Sequence, residues 1–296
     1  MPIRTLSPTL DRVLDTIPPS LLFHYTSAAG LIGILRERQV WASNVAFLND
    51  SKEIDHAVDI AKLAVENSLR YGKWSSEQRD LLEEMRSYVG GAAKRYYVFS
   101  LSEERDLLSQ WRAYCPPGGG YSVGFPSKQL KLMCAAQNFM LSPCVYNPTL
   151  QNAIVSEWLS GYLQQYEECR ERGELEAGGR QRISWEFGQH IAQFGAFLKH
   201  QAFEEEREWR LISPLIDESH SQIDFRSSST RIIPFFRFNL SDNANRQFPR
   251  IDDDVLTVVV GPTSDPPASQ MAVQFLLTSL AKGAVSSSSS VPYRTW

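Results

Sequence analysis

Arg95-Tyr96-Tyr97-Val98-Phe99-Ser100-Leu101-Ser102 is the stretch on which the fold turns. Aromatic and β-branched residues crowd it, as in a strand, and period-two alternation sets Ser100 and Ser102 on one face. Upstream, Leu21-Leu22-Phe23-His24-Tyr25 reads as another strand. Thr26 and Ser27 then cap a helix over Ala28 to Arg38, with Leu31, Ile34 and Leu35 on one side. Val40 to Ser43 reads as a strand and Phe47 to Ser51 as a loop, followed by polar helices over about Glu53 to Tyr71 and Ser75 to Lys94. Downstream, Asp106 to Tyr114 is expected to form a short helix cut off by Pro116-Pro117-Gly118-Gly119-Gly120. Tyr121 to Phe125 resumes as a strand, which suggests a hairpin-like return. Leu150 to Lys199 is polar and helical with a break at Gly173 to Gly179, and reads as a helical insertion. Trp209 to Ile212, Arg231 to Phe238 and Val255 to Val260 are further strands, and Pro267 to Leu280 is a last helix. Composition alone makes Ser286 to Ser290 a flexible tract. Such irregular alternation predicts an α+β fold rather than a regular βαβ series. The expectation is a single domain over residues 1–296, with a core at about 21–294 and a helical insertion at about 150–199.

The chain has 296 residues, 30 Lys+Arg against 34 Asp+Glu, and a formal net charge of −4. With 43% apolar and 22% charged residues it is an ordinary globular composition, which excludes disorder, collagen-like repeats and a chain-long coiled coil. Slight acidity argues against bulk coating of nucleic acid. No apolar run reaches the ~18 residues that a membrane span needs, so no membrane partner is expected. The first 20 residues lack the apolar core of a signal peptide, and the four cysteines have neither CxxC nor metal-ligand spacing. Reduced thiols in a cytoplasmic protein are the expectation.

Three clusters hold residue types that chemistry wants and a core does not. His24-Tyr25-Thr26 ends the first strand, a common place for ligand contacts. Gln110-Trp111-Arg112-Ala113-Tyr114 brings together a stacking ring, a guanidinium and an amide behind Ser100 and Ser102, a set suited to a ligand with a flat ring and a phosphate or carboxamide. The Gly run beside it lacks the GxGxxG order of a dinucleotide fingerprint. In Glu204-Glu205-Glu206-Arg207-Glu208-Trp209-Arg210-Leu211, alternation places Glu206, Glu208 and Arg210 on one strand face and Trp209 on the other. A carboxylate held there suits stabilisation of a developing cation. His24, Asp50, Glu53 and Glu208 are metal-ligand types without metal-ligand spacing, so no metal is expected.

Taken in order, Phe23-His24-Tyr25-Thr26, Phe47-Leu48-Asn49-Asp50 with Glu53, Phe99-Ser100-Leu101-Ser102 with Asp106, Gln110-Trp111-Arg112-Ala113-Tyr114, Tyr121-Ser122-Val123-Gly124-Phe125, Glu206 to Leu211, Gly261-Pro262 and Pro292-Tyr293-Arg294 resemble bacterial domain-of-unknown-function family 2971. More distantly, the His-Tyr-Thr strand, the helix with Ile34-Leu35, the serine-bearing strand and the late Glu entering a strand are similar to the ADP-ribosyltransferase fold. That resemblance implies an ADP-ribosyltransferase-like split β-sheet core with helical insertions, and cleavage of NAD between nicotinamide and ribose. It implies His24 at the NAD ribose, Ser100 or Ser102 with Tyr114 at the nicotinamide, Glu208 as the catalytic carboxylate and Glu206 as an auxiliary acid. Trp111, Arg112 and the helical segment have no counterpart in that fold. The candidate catalytic residues are thus Glu208 and His24, with Tyr25, Thr26, Ser100, Ser102, Trp111, Arg112, Tyr114, Glu206 and Arg210 around NAD as substrate. The acceptor is open between protein, nucleic acid and water, and a toxin or anti-phage defence role is the context the resemblance suggests. The alternatives are a non-catalytic nucleotide-sensing or interaction module and, third, a metal-dependent nuclease.

Overall fold

The computed structural model describes residues 6–48, 52–91, 95–228, 230–241, 251–252 and 256–292, the side chains of 52–54 excepted. Asn49 and Asp50, the side chain of Glu53, and Tyr293 and Arg294 lie outside the described residues. Ten strands join one sheet: β1 (Leu21–Thr26), β2 (Gln39–Asn44), β3 (Tyr97–Ser102), β4 (Tyr121–Pro126), β5 (Met140–Pro143), β6 (Glu208–Ile212), β7 (Ile223–Ser227), β8 (Ile232–Asn239), β9 (Thr257–Val260) and β10 (Val285–Ser288). The α-helices among the described residues are α1 (Pro8–Leu14), α2 (Ala28–Glu37), α3 (Lys52–Tyr71), α4 (Ser76–Tyr88), α5 (Leu108–Tyr114), α6 (Ser127–Ala136), α7 (Pro148–Glu171), α8 (Gly179–Phe194) and α9 (Pro266–Leu280).

The main strand order is β10-β9-β4-β1-β3-β2-β8-β7, with β6 and then β5 branching from β3. All pairings are antiparallel except β9 with β10. β3 is the strand on which everything else depends. One edge pairs continuously with β6, from Val98 opposite Ile212 to Ser102 opposite Glu208. On the other edge only the ends are paired: Ser102 faces Phe23 of β1, while Val98 and Tyr97 face Ser43 and Asn44 of β2. β1 and β2 therefore part over Phe99, Ser100 and Leu101, and the sheet is split there.

Alternation along the strands feeds two cores. Phe99, Leu101, Trp209 and Leu211 pack with residues of α2, α6 and α9 on one face. Val98 and Ile212 point the other way, into a helical layer where Trp158, Phe187, Phe194 and Phe197 are fully buried. That layer comprises α1, α3, α4, α7 and α8, so the segment over 150–199 supplies much of one core instead of standing outside it. The chemistry of its sequence explains this: Ile154, Val155, Trp158, Leu159, Tyr162 and Leu163 recur at helical spacing amid the polar residues.

Two expectations are corrected. β3 and β4 form no hairpin, because α5 and the glycine turn carry the chain over β1, and β4 pairs with the far edge of β1 and with β9. Gly120 is needed in that turn, since a Cβ there would sit 2.3 Å from Cys115 Sγ. The serine tract is not loose: Val285–Ser288 pairs with Thr257–Val260, and Asp106 accepts from Ser289 Oγ at 2.6 Å and from the Ser290 amide at 2.7 Å. Low complexity does not preclude a strand when a partner edge satisfies its backbone. α1, α6, β5 and β7 have no counterpart in the sequence reading.

Candidate functional site

The split opens a cleft of about 880 Å³. α2 contributes Gly30, Gly33 and Ile34, and β2 contributes Gln39, Trp41 and Ser43. The floor is Phe99 and Ser100 of β3, and the far side is Lys199, Phe203, Glu208 and Arg210. Gly33 faces open space, for a Cβ there would meet nothing within 4 Å. Gly30 has the opposite reason to be glycine, because a Cβ would lie 2.0 Å from Thr26 Oγ1.

His24 sits in the parting of β1 and β2. Ser100 O has no strand partner on this side, and His24 Nδ1 meets it at 3.0 Å. A carbonyl only accepts, so Nδ1 carries the proton and Nε2 is left as an acceptor. Burial, with a smaller contribution from the charge of nearby Arg226, outweighs the hydrogen bond to Ser100 and brings the imidazole pKa down to about 4, so the ring is neutral at physiological pH. Phe99 holds it at 4.3 Å between ring centroids.

Glu208 enters the cleft from the first position of β6. The preceding acidic run forms a 3-10 turn, Gln201–Glu206, which ends at Arg207 in the left-handed region (φ 42°). That reversal launches Glu208 into the strand, where its amide donates to Tyr146 Oη at 2.8 Å. Its carboxylate is held by Arg210 Nε at 2.7 Å, by Arg210 Nη2 at 3.0 Å and by Lys199 Nζ at 2.5 Å. Lys199 Nζ also reaches Glu206 Oε2 at 2.7 Å and lies 5.0 Å from the centre of the Phe203 ring. All four charged groups are buried. Burial alone would raise the Glu208 pKa, but the charges of Arg210 and Lys199 outweigh it and hold the carboxyl well below the usual carboxylate range. The cluster thus keeps a buried, oriented carboxylate, ionised at neutral pH, against the cleft.

Of the residues singled out in the sequence, His24, Thr26, Ser100, Tyr114, Glu208 and Arg210 line this cleft. Glu206 stands behind Lys199 instead of at the surface of the cleft. The other four lie elsewhere. The Tyr25 hydroxyl donates to Glu104 O at 2.7 Å and accepts from the Leu107 amide, on the opposite side of β1 from His24. Ser102 Oγ donates to Glu206 O at 2.7 Å and accepts from the Glu104 amide, so it braces the turn before β6. Trp111 packs edge-on to Tyr25 and donates to Asp106 Oδ1 at 2.8 Å. Arg112 borders a separate cavity of about 140 Å³ beside the glycine turn. Alternation along β1 explains Tyr25, whereas Ser102 shares the face of Ser100 but ends β3 between Phe23 and Glu208, with its hydroxyl committed to the turn.

Sequence reasoning missed Lys199, Trp41, Phe203, Phe225 and Arg226. Lys199 carried no signal, since it follows α8 in sequence and is set beside Glu208 where its amide donates to Val145 O and the Val145 amide donates to Phe197 O. Arg226 could have been found: the strong strand at Ile232–Asn239, preceded by Ser228 and Thr230, calls for a hairpin partner upstream. Among the described residues, no group of three or more His, Cys, Asp or Glu side chains could hold a metal ion, and no helix is long and apolar enough to cross a membrane.

An α+β fold with a split sheet and a buried acid–base cluster in the parting defines the structural class. Residues 110–211, which run from α5 to β6, match the model of a family described as "Protein of unknown function (DUF2971)". The match includes the QWRAY and EWRL segments. No curated protein and no solved structure matches the chain.

Proposed function

We propose that the cleft binds NAD or a related nucleotide, and that the protein breaks the bond between nicotinamide and the ribose C1′, passing ADP-ribose to an acceptor or to water. One observation carries this reading: His24, Ser100, Tyr114 and Glu208, brought from β1, β3, α5 and β6, line a single cleft. Its volume lies within the roughly 300–1,000 Å³ of small-molecule sites. In the reaction the C1′–N bond breaks and nicotinamide leaves with the electron pair. Positive charge develops at C1′, and the acceptor adds there while losing a proton. Glu208, ionised and fixed before substrate arrives, is the group suited to stabilise that charge. Neutral His24 offers Nε2 as an acceptor for a ribose hydroxyl, and Tyr114 offers an aromatic edge.

Free nicotinamide released from NAD by the pure protein, with and without cell lysate as acceptor, tests this directly. Glu208→Gln is expected to lower the rate on the order of 10²–10³-fold. Absence of release under both conditions, or a Glu208→Gln rate equal to the parent's, would sink the enzyme reading. A second reading has its own support: Glu208 is matched by Lys199 and Arg210, so with Glu206 the cluster sums to zero charge. That balance suits a module that binds the nucleotide without turning it over. NAD-dependent stabilisation in a thermal melt without nicotinamide release is its expected result.

A further inference from the structure

We propose that the β2–β7 end of the cleft is a nucleotide subsite in which Trp41 stacks the base and Arg226, braced by Ser43, binds phosphate. This deepens the nucleotide reading above and rests on it. Among the described residues three cationic side chains line the cleft, and two are already committed: Lys199 to Glu206 and Glu208, and Arg210 to Glu208 and to Ala196 O. Arg226 differs. Its Nη2 donates to Ser43 Oγ at 2.8 Å, and no carboxylate among the described residues pairs with it. A guanidinium has five N–H donors in a rigid fork that matches phosphate oxygens, so the brace leaves donors available to a ligand.

Trp41 supplies the second half. It is 44% exposed, unusual for so large a ring, and lines the cleft while Phe235 stacks on it at 4.3 Å and 23°. A ring held rigid on one side and open on the other is a stacking platform, worth roughly a factor of ten or more per base in affinity. Trp41 and Ser43 are two residues apart on β2, so their side chains leave the same face about 7 Å apart along the strand. That spacing matches the separation of a base from the phosphate on its ribose. His24 and Glu208, which line the same cleft, then receive whatever the phosphates carry beyond them.

Calorimetric titration with ADP, adenosine and inorganic pyrophosphate separates the parts. ADP is expected to bind the parent protein, and Arg226→Gln to weaken ADP and pyrophosphate at least tenfold while leaving adenosine within twofold. Trp41→Ala is expected to weaken ADP and adenosine and to spare pyrophosphate. Both residues are solvent-facing, and unchanged melting temperatures would show that the fold persists. Gly33→Leu, which fills open space on α2, is expected to weaken adenosine and ADP. Failure of ADP to bind, or an Arg226→Gln affinity for ADP within twofold of the parent's, overturns the proposal. Arg226-dependent ADP binding without nicotinamide release would retain this subsite and discard the NAD-cleaving reading. Nicotinamide release that is indifferent to Arg226 and Trp41 would do the reverse.

Discussion

Two segments each set a tryptophan before an arginine, and the structure uses them in opposite ways. In Glu208-Trp209-Arg210 the residues are on a central strand. Alternation sends Trp209 into the core shared with Phe99 and turns Glu208 and Arg210 together toward the cleft, with Arg210 only 2% exposed. In Gln110-Trp111-Arg112 they are on a helix. There Trp111 is buried against Tyr25, and Arg112 faces solvent at the rim of a different, smaller cavity. The same two residue types make a charged cleft wall in one place and a structural anchor in the other. Secondary-structure period, not composition, decides between them.

The largest effect expected from this contrast is on stability. Arg210→Ala strips Glu208 of its bidentate partner in a buried site and is expected to cost about 3–5 kcal/mol, whereas Arg112→Ala is expected to stay within about 0.5 kcal/mol. Urea unfolding midpoints measure both, and similar losses for the two arginines would break the comparison. A smaller effect comes from acid. His24 has a folded-state pKa of about 4, below its ordinary 6.5. Between those values the unfolded chain takes up a proton that the folded one refuses, so stability falls as the pH drops from 6.5 toward 4, by up to about 3 kcal/mol. Buried His190 is lowered in the same way, so His24→Asn is expected to remove only part of the slope. On the other side, Asp106 has a carboxyl held below its ordinary value of 3.8, since the hydrogen bonds from Ser289, Ser290 and Trp111 outweigh its burial. Its contribution is present above that value and is lost only at lower pH. A stability curve flat from pH 6.5 to 4 would deny the neutral, buried state of His24. The smallest effect sits with the anchor: Trp111→Phe removes the bond to Asp106 and is expected to cost about 1 kcal/mol. Amide exchange should quicken at Ser289 and Ser290, and unchanged exchange there would show that Asp106 holds the tract without Trp111.

Much of the scaffold was legible. The strands around Phe23, Phe99 and Trp209 announce themselves through aromatic and β-branched residues, and the pairing of Glu208 with Arg210 follows from period two. Adjacency to His24 and Thr26, a strand face shared with Ser100 and a stacking ring near Tyr114 make Tyr25, Ser102 and Trp111 candidates in the sequence. Their hydroxyl and indole groups instead satisfy backbone and carboxylate groups behind the sheet. Lys199 could not be read at all, since its partners are set by where the helical layer returns the chain to the sheet.

The sequence by itself determined the α+β class, the main strands, and the acidic stretch that delivers Glu208, because these depend on local periodicity and on residue chemistry. Only the tertiary structure decided that β1 and β2 part over β3, that the parting is a cleft, and that Lys199, Trp41 and Arg226 border it. Those facts depend on which strand edges pair and on side chains meeting from opposite ends of the chain. Neither is encoded in the spacing of neighbouring residues.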